Sequence, residues 1–210
     1  MADPPTTTLQ RLKGLTTGSL PTFIDVGNNF ASNELTEDNI INQIQLSGMN
    51  LTFMGDDTWM GLFPSSFQKS YPYPSFDVWD IHTVDNGVAS HLFTEMSKTD
   101  WQVLIAHCLG VDHIGHRYGP HHPQMKLKLE QMNLFVHNIV KAMDNESLLL
   151  VMGDHGMTKS GDHGGDSTEE LKAALFAYSH RMKASPKHVK VTTLSFNRVE
   201  LINDAEYRVK

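Results

Sequence analysis

The chain lacks the cysteines needed for a disulfide, the long apolar runs of a transmembrane helix and the net positive charge typical of proteins that bind nucleic acid. It contains a single cysteine, Cys108, among 210 residues, which excludes an internal disulfide. No stretch approaches about 18 consecutive apolar residues, so no transmembrane helix is predicted, and the first residues lack the apolar core of a signal peptide. Lys and Arg number 17 against 24 Asp and Glu, for a formal charge of -7, which disfavours nucleic acid as a partner.

What the chain does have is an alternation of helical and strand patterns, typical of an α/β domain with a mainly parallel sheet. Strands are predicted at 51–54, 101–108, 148–152 and 176–178. Helices are predicted at 8–15, at 40–46, through 88–96 and from Pro123 onward, with a loop over 63–76. Ligands of open α/β sheets bind beyond the carboxyl ends of the strands, which directs attention to the residues just after 108 and 152.

Aspartate and histidine are concentrated in two segments that follow these predicted strands. The first runs from Asp112 to His116, and the second contains Gly153-Asp154-His155-Gly156 and then Gly161-Asp162-His163-Gly164. Nitrogen and oxygen ligands without thiolates suit zinc or manganese in a catalytic site. Asp112 and His116 converge on one ion if their segment makes a helical turn, which leaves His113 pointing elsewhere. Taken alone, the first segment fits a capped loop with exposed histidines equally well.

These segments also carry a family resemblance. The DxxGHxxGP pattern from Asp112, the Gly-Asp-His-Gly at 153–156 and the Gly-Asp-His-Gly-Gly at 161–165 together resemble the alkaline phosphatase superfamily, in its nucleotide pyrophosphatase/phosphodiesterase-like branch. The runs 4–11, 15–23, 54–59, 83–87 and 105–123 support the likeness, which covers about residues 2 to 180. It implies a mostly parallel sheet flanked by helices and truncated at both ends, with a partial catalytic domain at 1–186 and a divergent tail at 187–210.

The resemblance implies a site with two zinc ions. Asp112, His116 and His163 would hold one, and Asp154 and His155 the other together with a threonine nucleophile. Thr8 is the favoured nucleophile because its spacing to Asn29 matches the family's pairing of nucleophile and phosphate-binding asparagine, while Thr6 and Thr7 remain candidates. Without the resemblance, the three threonines fit simple helix capping. The family's first strand, which ends in an aspartate of the second zinc site, precedes Met1, so that site is expected to be incomplete.

Within that branch, the chain is most similar to enzymes that act on glycosylphosphatidylinositol anchor precursors. They imply phosphatidylethanolamine as the donor of phosphoethanolamine and the 6-hydroxyl of the third mannose as its acceptor. They also imply a small membrane-spanning partner subunit and the luminal side of the endoplasmic reticulum membrane for the parent protein. Asp57 and Trp59 are candidates to contact substrate, with helix capping as the alternative for Asp56 and Asp57. Two other readings stay open, a different metal-dependent phosphodiesterase and a non-catalytic binding module.

Overall fold

The structure is a computed structural model that describes residues 1–20 and 34–181. Asn29 and the predicted tail at 187–210 lie outside these residues. The helices are α1 (Thr8–Thr17), α2 (Ile40–Leu46), α3 (Thr58–Leu62), α4 (Thr83–Met96), α5 (Gly110–Tyr118) and α6 (Pro123–Ala142). The strands are β1 (Leu51–Asp56), β2 (Lys69–Tyr73), β3 (Val103–His107), β4 (Leu149–Met152) and β5 (Leu175–Tyr178).

Three strands form a parallel sheet in the order β2-β1-β3. In its register Phe53 lies opposite Ser70 on one side and Ile105 on the other. Every residue of the central strand β1 is buried, which is the pattern of a parallel strand covered on both faces. The predicted parallel α/β arrangement is confirmed for this part of the chain.

The structure departs from the sequence-based expectation in two places, at β2 and in the pairing of β4 with β5. β2 was predicted as part of a loop because Pro72 interrupts its strand pattern. Among the described strands, β2 pairs only with β1, and a proline is tolerated in such an edge strand. β4 and β5 are present as predicted, but they pair antiparallel, with Leu149 opposite Tyr178. The segment that joins them forms turns instead of the crossover helix that a parallel connection needs.

Helices cover both faces of the three-stranded sheet. Successive side chains of a strand point to opposite faces, so Phe53 and Met54 belong to different parts of the core. Phe53 packs with Leu9 and Leu12 of α1 and with an aromatic group, whose members are Trp59, Phe63 and Phe67. Met54 packs with Val88 and Leu92 of α4, and Phe135 and Ile139 of α6 lie against them.

Cys108 lies against the core beneath α4 and α6, and burial raises the pKa of its thiol to about 12, so it behaves as a small inert side chain. Across residues 1–20 and 34–181, none of the helices has both the length and the apolar character required to cross a bilayer.

Candidate metal centre

Helix α5 carries the first two candidate ligands. Asp112 lies in its first turn and His116 in its last, and His116 Nε2 is 3.3 Å from Asp112 Oδ2. The helical turn on which their convergence depends is therefore present. His113 faces the interior instead, with Nδ1 2.7 Å from the carbonyl oxygen of Asp80, as expected for a residue that is not a ligand.

A buried ion pair determines where α5 begins. Asp85 Oδ1 accepts hydrogen bonds from the backbone N–H groups of Leu109 and Gly110, each at 3.0 Å. Its Oδ2 pairs at 3.0 Å with Lys128 Nζ, which also donates to the carbonyl of Ile81. A carboxylate at a helix N-terminus is favourable because the unpaired N–H groups there carry partial positive charge. No chemical motif in the sequence indicated this pair.

The loop after β4 presents Asp154 and His155 on one side. His155 Nε2 lies 3.3 Å from Asp154 Oδ2, although neighbours in an extended strand would point apart. The chain turns at Gly156, whose N–H donates to the carbonyl oxygen of Glu170 at 2.7 Å. A Cβ at Gly156 would overlap the carbonyl oxygen of Glu169, so the turn requires glycine.

His163 comes from a second loop that packs directly on α5. Gly161 and Gly164 have φ values of +93° and +112°, in the region that favours glycine. A Cβ at Gly161 would overlap the carbonyl oxygen of Gly115, which shows how closely this loop approaches the helix. His163 Nδ1 donates to the carbonyl of Thr6 at 2.7 Å, which orients the ring.

The five predicted metal ligands meet at one place. The Nε2 atoms of His163 and His155 lie 3.4 and 4.0 Å from Asp112 Oδ1. The His155 and His163 rings stack with centroids 3.8 Å apart, and His116 and His163 are 4.8 Å apart. Candidate ligand atoms of Asp112, His116 and His163 all lie within 4.8 Å of one another. Among the described residues, no other set of three His, Cys, Asp or Glu side chains has such a geometry.

The arrangement fits a divalent cation. Asp112 Oδ1 is buried without a hydrogen-bond partner, which in the absence of a cation leaves a charged oxygen unsatisfied at a cost of about 1–3 kcal/mol or more. The Nδ1 atoms of His155 and His163 face carbonyl oxygens, of Gly156 and Thr6, and must donate to them. The Nε2 lone pairs are then directed at Asp112, and an imidazole and carboxylate donor set suits zinc or manganese.

The pKa values of Asp112 and His163 shift toward the forms that bind a metal, whereas that of His116 shifts away from its ligand form. Burial pushes the pKa of Asp112 upward, but the hydrogen bond with His116 and the charges of His163 and His155 outweigh it, so the pKa is lowered. Burial likewise lowers the pKa of His163, whereas the hydrogen bond to Asp112 raises the pKa of His116. A charged carboxylate and a neutral imidazole are the ligand forms, so Asp112 and His163 are prepared for a cation.

The threonine segment lies at the start of α1, beside this cluster. Thr8 is the first helical residue and is half-buried, and Thr7 is the N-cap in extended conformation. The Thr7 hydroxyl is buried without a hydrogen-bond partner, whereas the Thr6 hydroxyl is bonded. One turn later, Arg11 Nε donates to the carbonyl oxygen of Asp154 at 2.8 Å. The residues between Thr6 and Arg11 are therefore held between the His163 loop and the Asp154 loop.

Glu170 joins this segment to the His163 loop and was not identified from the sequence. Its carboxylate accepts from Thr6 Oγ1, the Gly165 N–H, and both the N–H and hydroxyl of Ser167. The Ser167 hydroxyl, above the other donors, lowers the pKa of Glu170 to about 2. Serine followed three residues later by glutamate is the capping-box pattern, and this spacing could have drawn attention to the pair.

The two predicted substrate-binding residues follow β1. Asp57 is half-buried and accepts a hydrogen bond from Ser75 Oγ at 2.7 Å. Asp56 caps α3 through the N–H of residue 58, so the capping alternative is confirmed for it. Trp59 is 8% exposed within the aromatic core and donates its indole N–H to His107 Nδ1 at 3.0 Å. The structure thus places Trp59 in the core, with His107 as its hydrogen-bond partner.

The sequence of the chain is similar to one family model and to several characterised proteins. The family model for type I phosphodiesterase / nucleotide pyrophosphatase matches residues 33–204. Human GPI ethanolamine phosphate transferase 3, catalytic subunit, is 59% identical over 84% of this chain and 16% of its own length. The Saccharomyces cerevisiae GPI ethanolamine phosphate transferase 3 is 51% identical over 86% and 18%. The chain therefore spans less than a fifth of the length of these two relatives.

The fold of the chain is similar to that of a solved structure. The crystal structure of a lipoteichoic acid synthase from Listeria monocytogenes matches 87% of this chain and 55% of its own, with a TM-score of 0.57 and 11% identity. At that identity the likeness bears on the fold alone. The expectation of an alkaline phosphatase-like α/β fold, with a parallel sheet flanked by helices, is confirmed.

Proposed function

Because the chain belongs to the type I phosphodiesterase / nucleotide pyrophosphatase family, we propose that it forms the metal-binding centre of a phosphoethanolamine transferase. One observation carries this proposal. Two carboxylates and three imidazoles from α5 and two loops converge beside the threonines that begin α1. The relatives named GPI ethanolamine phosphate transferase 3 supply the reaction class.

We assign the ligands as two groups. Asp112, His116 and His163 would hold one zinc ion, and Asp154 and His155 would contribute to a second whose remaining ligands include the nucleophile. Bound cations of this kind lower the pKa of a hydroxyl and neutralise charge on a phosphoryl group. The donation by His155 Nδ1 to Gly156, and by His163 Nδ1 to Thr6, keeps the Nε2 atoms available as ligands.

The reaction is a two-step transfer through Thr8. Thr8 Oγ1 attacks phosphorus, the bond between phosphorus and the glycerol oxygen breaks, and diacylglycerol leaves with the threonine proton. A mannose hydroxyl then attacks the same phosphorus, the bond to Thr8 breaks, and the acceptor's proton returns to the threonine. Arg11 holds the first turn of α1, which contains Thr8, against the Asp154 loop during both steps.

We propose substrates and a setting in line with the family resemblance of the sequence. Phosphatidylethanolamine is the proposed donor, and the 6-hydroxyl of the third mannose of a glycosylphosphatidylinositol precursor is the proposed acceptor. We place the reaction at the luminal face of the endoplasmic reticulum membrane, with Asn29 contacting the phosphate. A small membrane-spanning subunit would accompany the longer protein.

Trapping the covalent intermediate tests this function. The chain would be loaded with zinc, mixed with vesicles of phosphatidylethanolamine labelled in the headgroup, quenched and digested with trypsin. We expect label on the peptide that ends at Arg11, with fragmentation placing it on Thr8, and none in the Thr8→Ala variant. Label on Thr6 or Thr7 would reject Thr8 as the nucleophile. Headgroup release from vesicles without any labelled threonine would reject the covalent route.

Metal stoichiometry tests the ligand assignment separately. We expect two zinc ions per wild-type chain, with the ion on the Asp154 side held more weakly because that site is expected to be incomplete, and loss of the tighter ion in His163→Ala. A chain that binds no zinc after purification at neutral pH would overturn the proposed centre. A chain that binds zinc but neither transfers nor hydrolyses a phosphodiester would contradict the enzyme and support the non-catalytic binding module.

A further inference from the structure

Glu170 is a buried carboxylate outside the set of candidate ligands, and its side chain connects the threonine segment to the His163 loop. Its residue is 5% exposed, and its two oxygens accept four hydrogen bonds. We propose that Glu170 is a positioning residue that holds the threonine segment in register with His163. The effect of Glu170 on the reaction rests on the proposed function. The hydrogen bonds from which its positioning role is argued do not depend on that function.

One side of the carboxylate fixes the threonine segment. Oε1 accepts from Thr6 Oγ1 at 3.0 Å and from the Gly165 N–H at 2.7 Å. Thr6 Oγ1 in turn accepts from the Gly164 N–H at 2.8 Å. The carbonyl of Thr6 accepts from His163 Nδ1, so a displacement of Thr6 would rotate the candidate ligand and move Thr8 with it.

The other side fixes the loop itself. Oε2 accepts from the Ser167 N–H at 3.1 Å and from Ser167 Oγ at 2.5 Å. These bonds close the turn that follows His163, where Gly164 has a φ of +112° and no regular secondary structure supplies partners. The loop carrying His163 is therefore held by this carboxylate and by Thr6, which lies more than 150 residues earlier in the chain.

The site requires a carboxylate and does not tolerate an amide. All four bonds are donated to Glu170, and glutamine in the same place would direct its NH₂ group at the donors of either Oε1 or Oε2. One oxygen would remain for two donors. On the amide side the hydroxyl could turn to accept from the NH₂ group, but the backbone N–H would lose its acceptor in a buried position. The expected result is a shift of the His163 loop relative to Thr6 with the rest of the fold retained.

The experiment compares Glu170→Gln with Glu95→Gln. Glu95 is also a buried, fully bonded carboxylate, but its partners Lys69, Lys98 and Tyr71 lie on the α4 and β2 side of the sheet. Zinc affinity would be measured on the full chain by competition with a chromogenic chelator at neutral pH. We expect Glu170→Gln to weaken zinc binding about 10- to 100-fold, as removal of a ligand's supporting partner does, and Glu95→Gln to change it less than about twofold.

Hydrogen exchange gives a second readout that needs no metal. The amides of Gly164 and Gly165 donate to Thr6 Oγ1 and to Glu170, so both are expected to exchange faster in Glu170→Gln and at wild-type rates in Glu95→Gln. Thr6→Val removes the same hydroxyl bridge and is expected to reproduce the loss of zinc affinity, while Thr6→Ser retains it. These two variants supply the test if Glu170→Gln does not fold.

The outcomes separate this inference from the proposed function. Equal zinc affinity in the wild type, Glu170→Gln and Thr6→Val would overturn the positioning role alone. Equal losses in Glu170→Gln and Glu95→Gln would also overturn it, because they would reflect general destabilisation. If the wild-type chain transfers no phosphoethanolamine, but zinc affinity falls in Glu170→Gln and not in Glu95→Gln, the proposed reaction is overturned and the positioning role stands.

Discussion

Helix α5 and the two loops after β4 contribute to one cluster, but they hold their ligands by different means. In α5, backbone hydrogen bonds fix the spacing of Asp112 and His116, and its N-terminus is capped by Asp85, 24 residues upstream of Leu109. The loops have no such series of backbone hydrogen bonds, and their candidate ligands depend on Thr6 and Arg11, which lie 157 residues from His163 and 143 residues from Asp154. Local geometry thus determines one half of the centre, and distant contacts determine the other.

Asp85→Ala is expected to have the largest effect, on the helical half. It leaves the Lys128 ammonium buried without its partner, and breaking a buried pair in this way typically costs about 3–5 kcal/mol of the free energy of unfolding. Urea denaturation of the variant measures the loss. The double variant Asp85→Ala/Lys128→Met is expected to recover much of it. A loss below about 1 kcal/mol would show that α5 is placed without Asp85.

Gly161→Ala tests the contact between the two halves. The methyl group would enter the space of the Gly115 carbonyl oxygen at a φ of +93°, so we expect backbone strain of about 1–2 kcal/mol and overpacking of about 1–3 kcal/mol. Gly119→Ala is the matched control, since Gly119 also has a positive φ but has open space around it. Both would lower the urea midpoint, whereas only Gly161→Ala should weaken zinc binding. Equal zinc affinities would contradict close packing of the loop on α5.

Arg11→Gln tests the tether of the Asp154 loop. Arg11 is 5% exposed, and its loss removes the charged donor to the Asp154 carbonyl, which is expected to cost about 1.5–3 kcal/mol of unfolding free energy. Arg11→Lys retains the charge but lacks the planar fork, so it should restore little. Full recovery in Arg11→Lys would mean that charge alone, and not the hydrogen bond from Nε, holds the loop.

Glu95→Gln should have the smallest effect on the centre and a distinctive dependence on pH. The hydrogen bond from Lys98, followed by those from Tyr71 and Lys69, lowers the pKa of Glu95 from 4.5 to about 2. A lowered pKa contributes stability that is fully present above pH 4.5 and is lost as the pH falls toward 2. The difference in unfolding free energy between wild type and variant should therefore narrow across that window. A constant difference would contradict the assigned pKa shift.

The sequence predicted the candidate ligands more completely than the residues that support them. Asp112, His116, Asp154, His155 and His163 stand out because histidine and aspartate beside glycine after a buried strand are unusual, and the structure brings them together. Strand β2 was not predicted because Pro72 disrupts its strand pattern. The antiparallel pairing of β4 with β5 was not predicted because it depends on the path of the segment that joins them, and residue patterns do not indicate that path.

The residues that support the cluster share a different character. Asp85, Lys128, Arg11 and Glu170 are ordinary charged residues in the sequence, and nothing in their local pattern distinguishes a buried pair from a solvated one. Burial and partners at large sequence separation give them their roles, as the 164-residue separation between Thr6 and Glu170 illustrates. Pattern-based reasoning detects short periods and motifs, so such contacts fall outside its reach.

By itself, the sequence determined the α/β alternation, the helical spacing of Asp112 and His116, and the glycines that let Asp154, His155 and His163 leave regular structure. These features are local, since they follow from residue type and from repeats of two or of about four residues. Only the tertiary structure decided that the two loops face α5, that Thr6 and Glu170 connect them to α1, and that Trp59 lies in the core. Such placements depend on which distant groups can satisfy one another once water has been excluded.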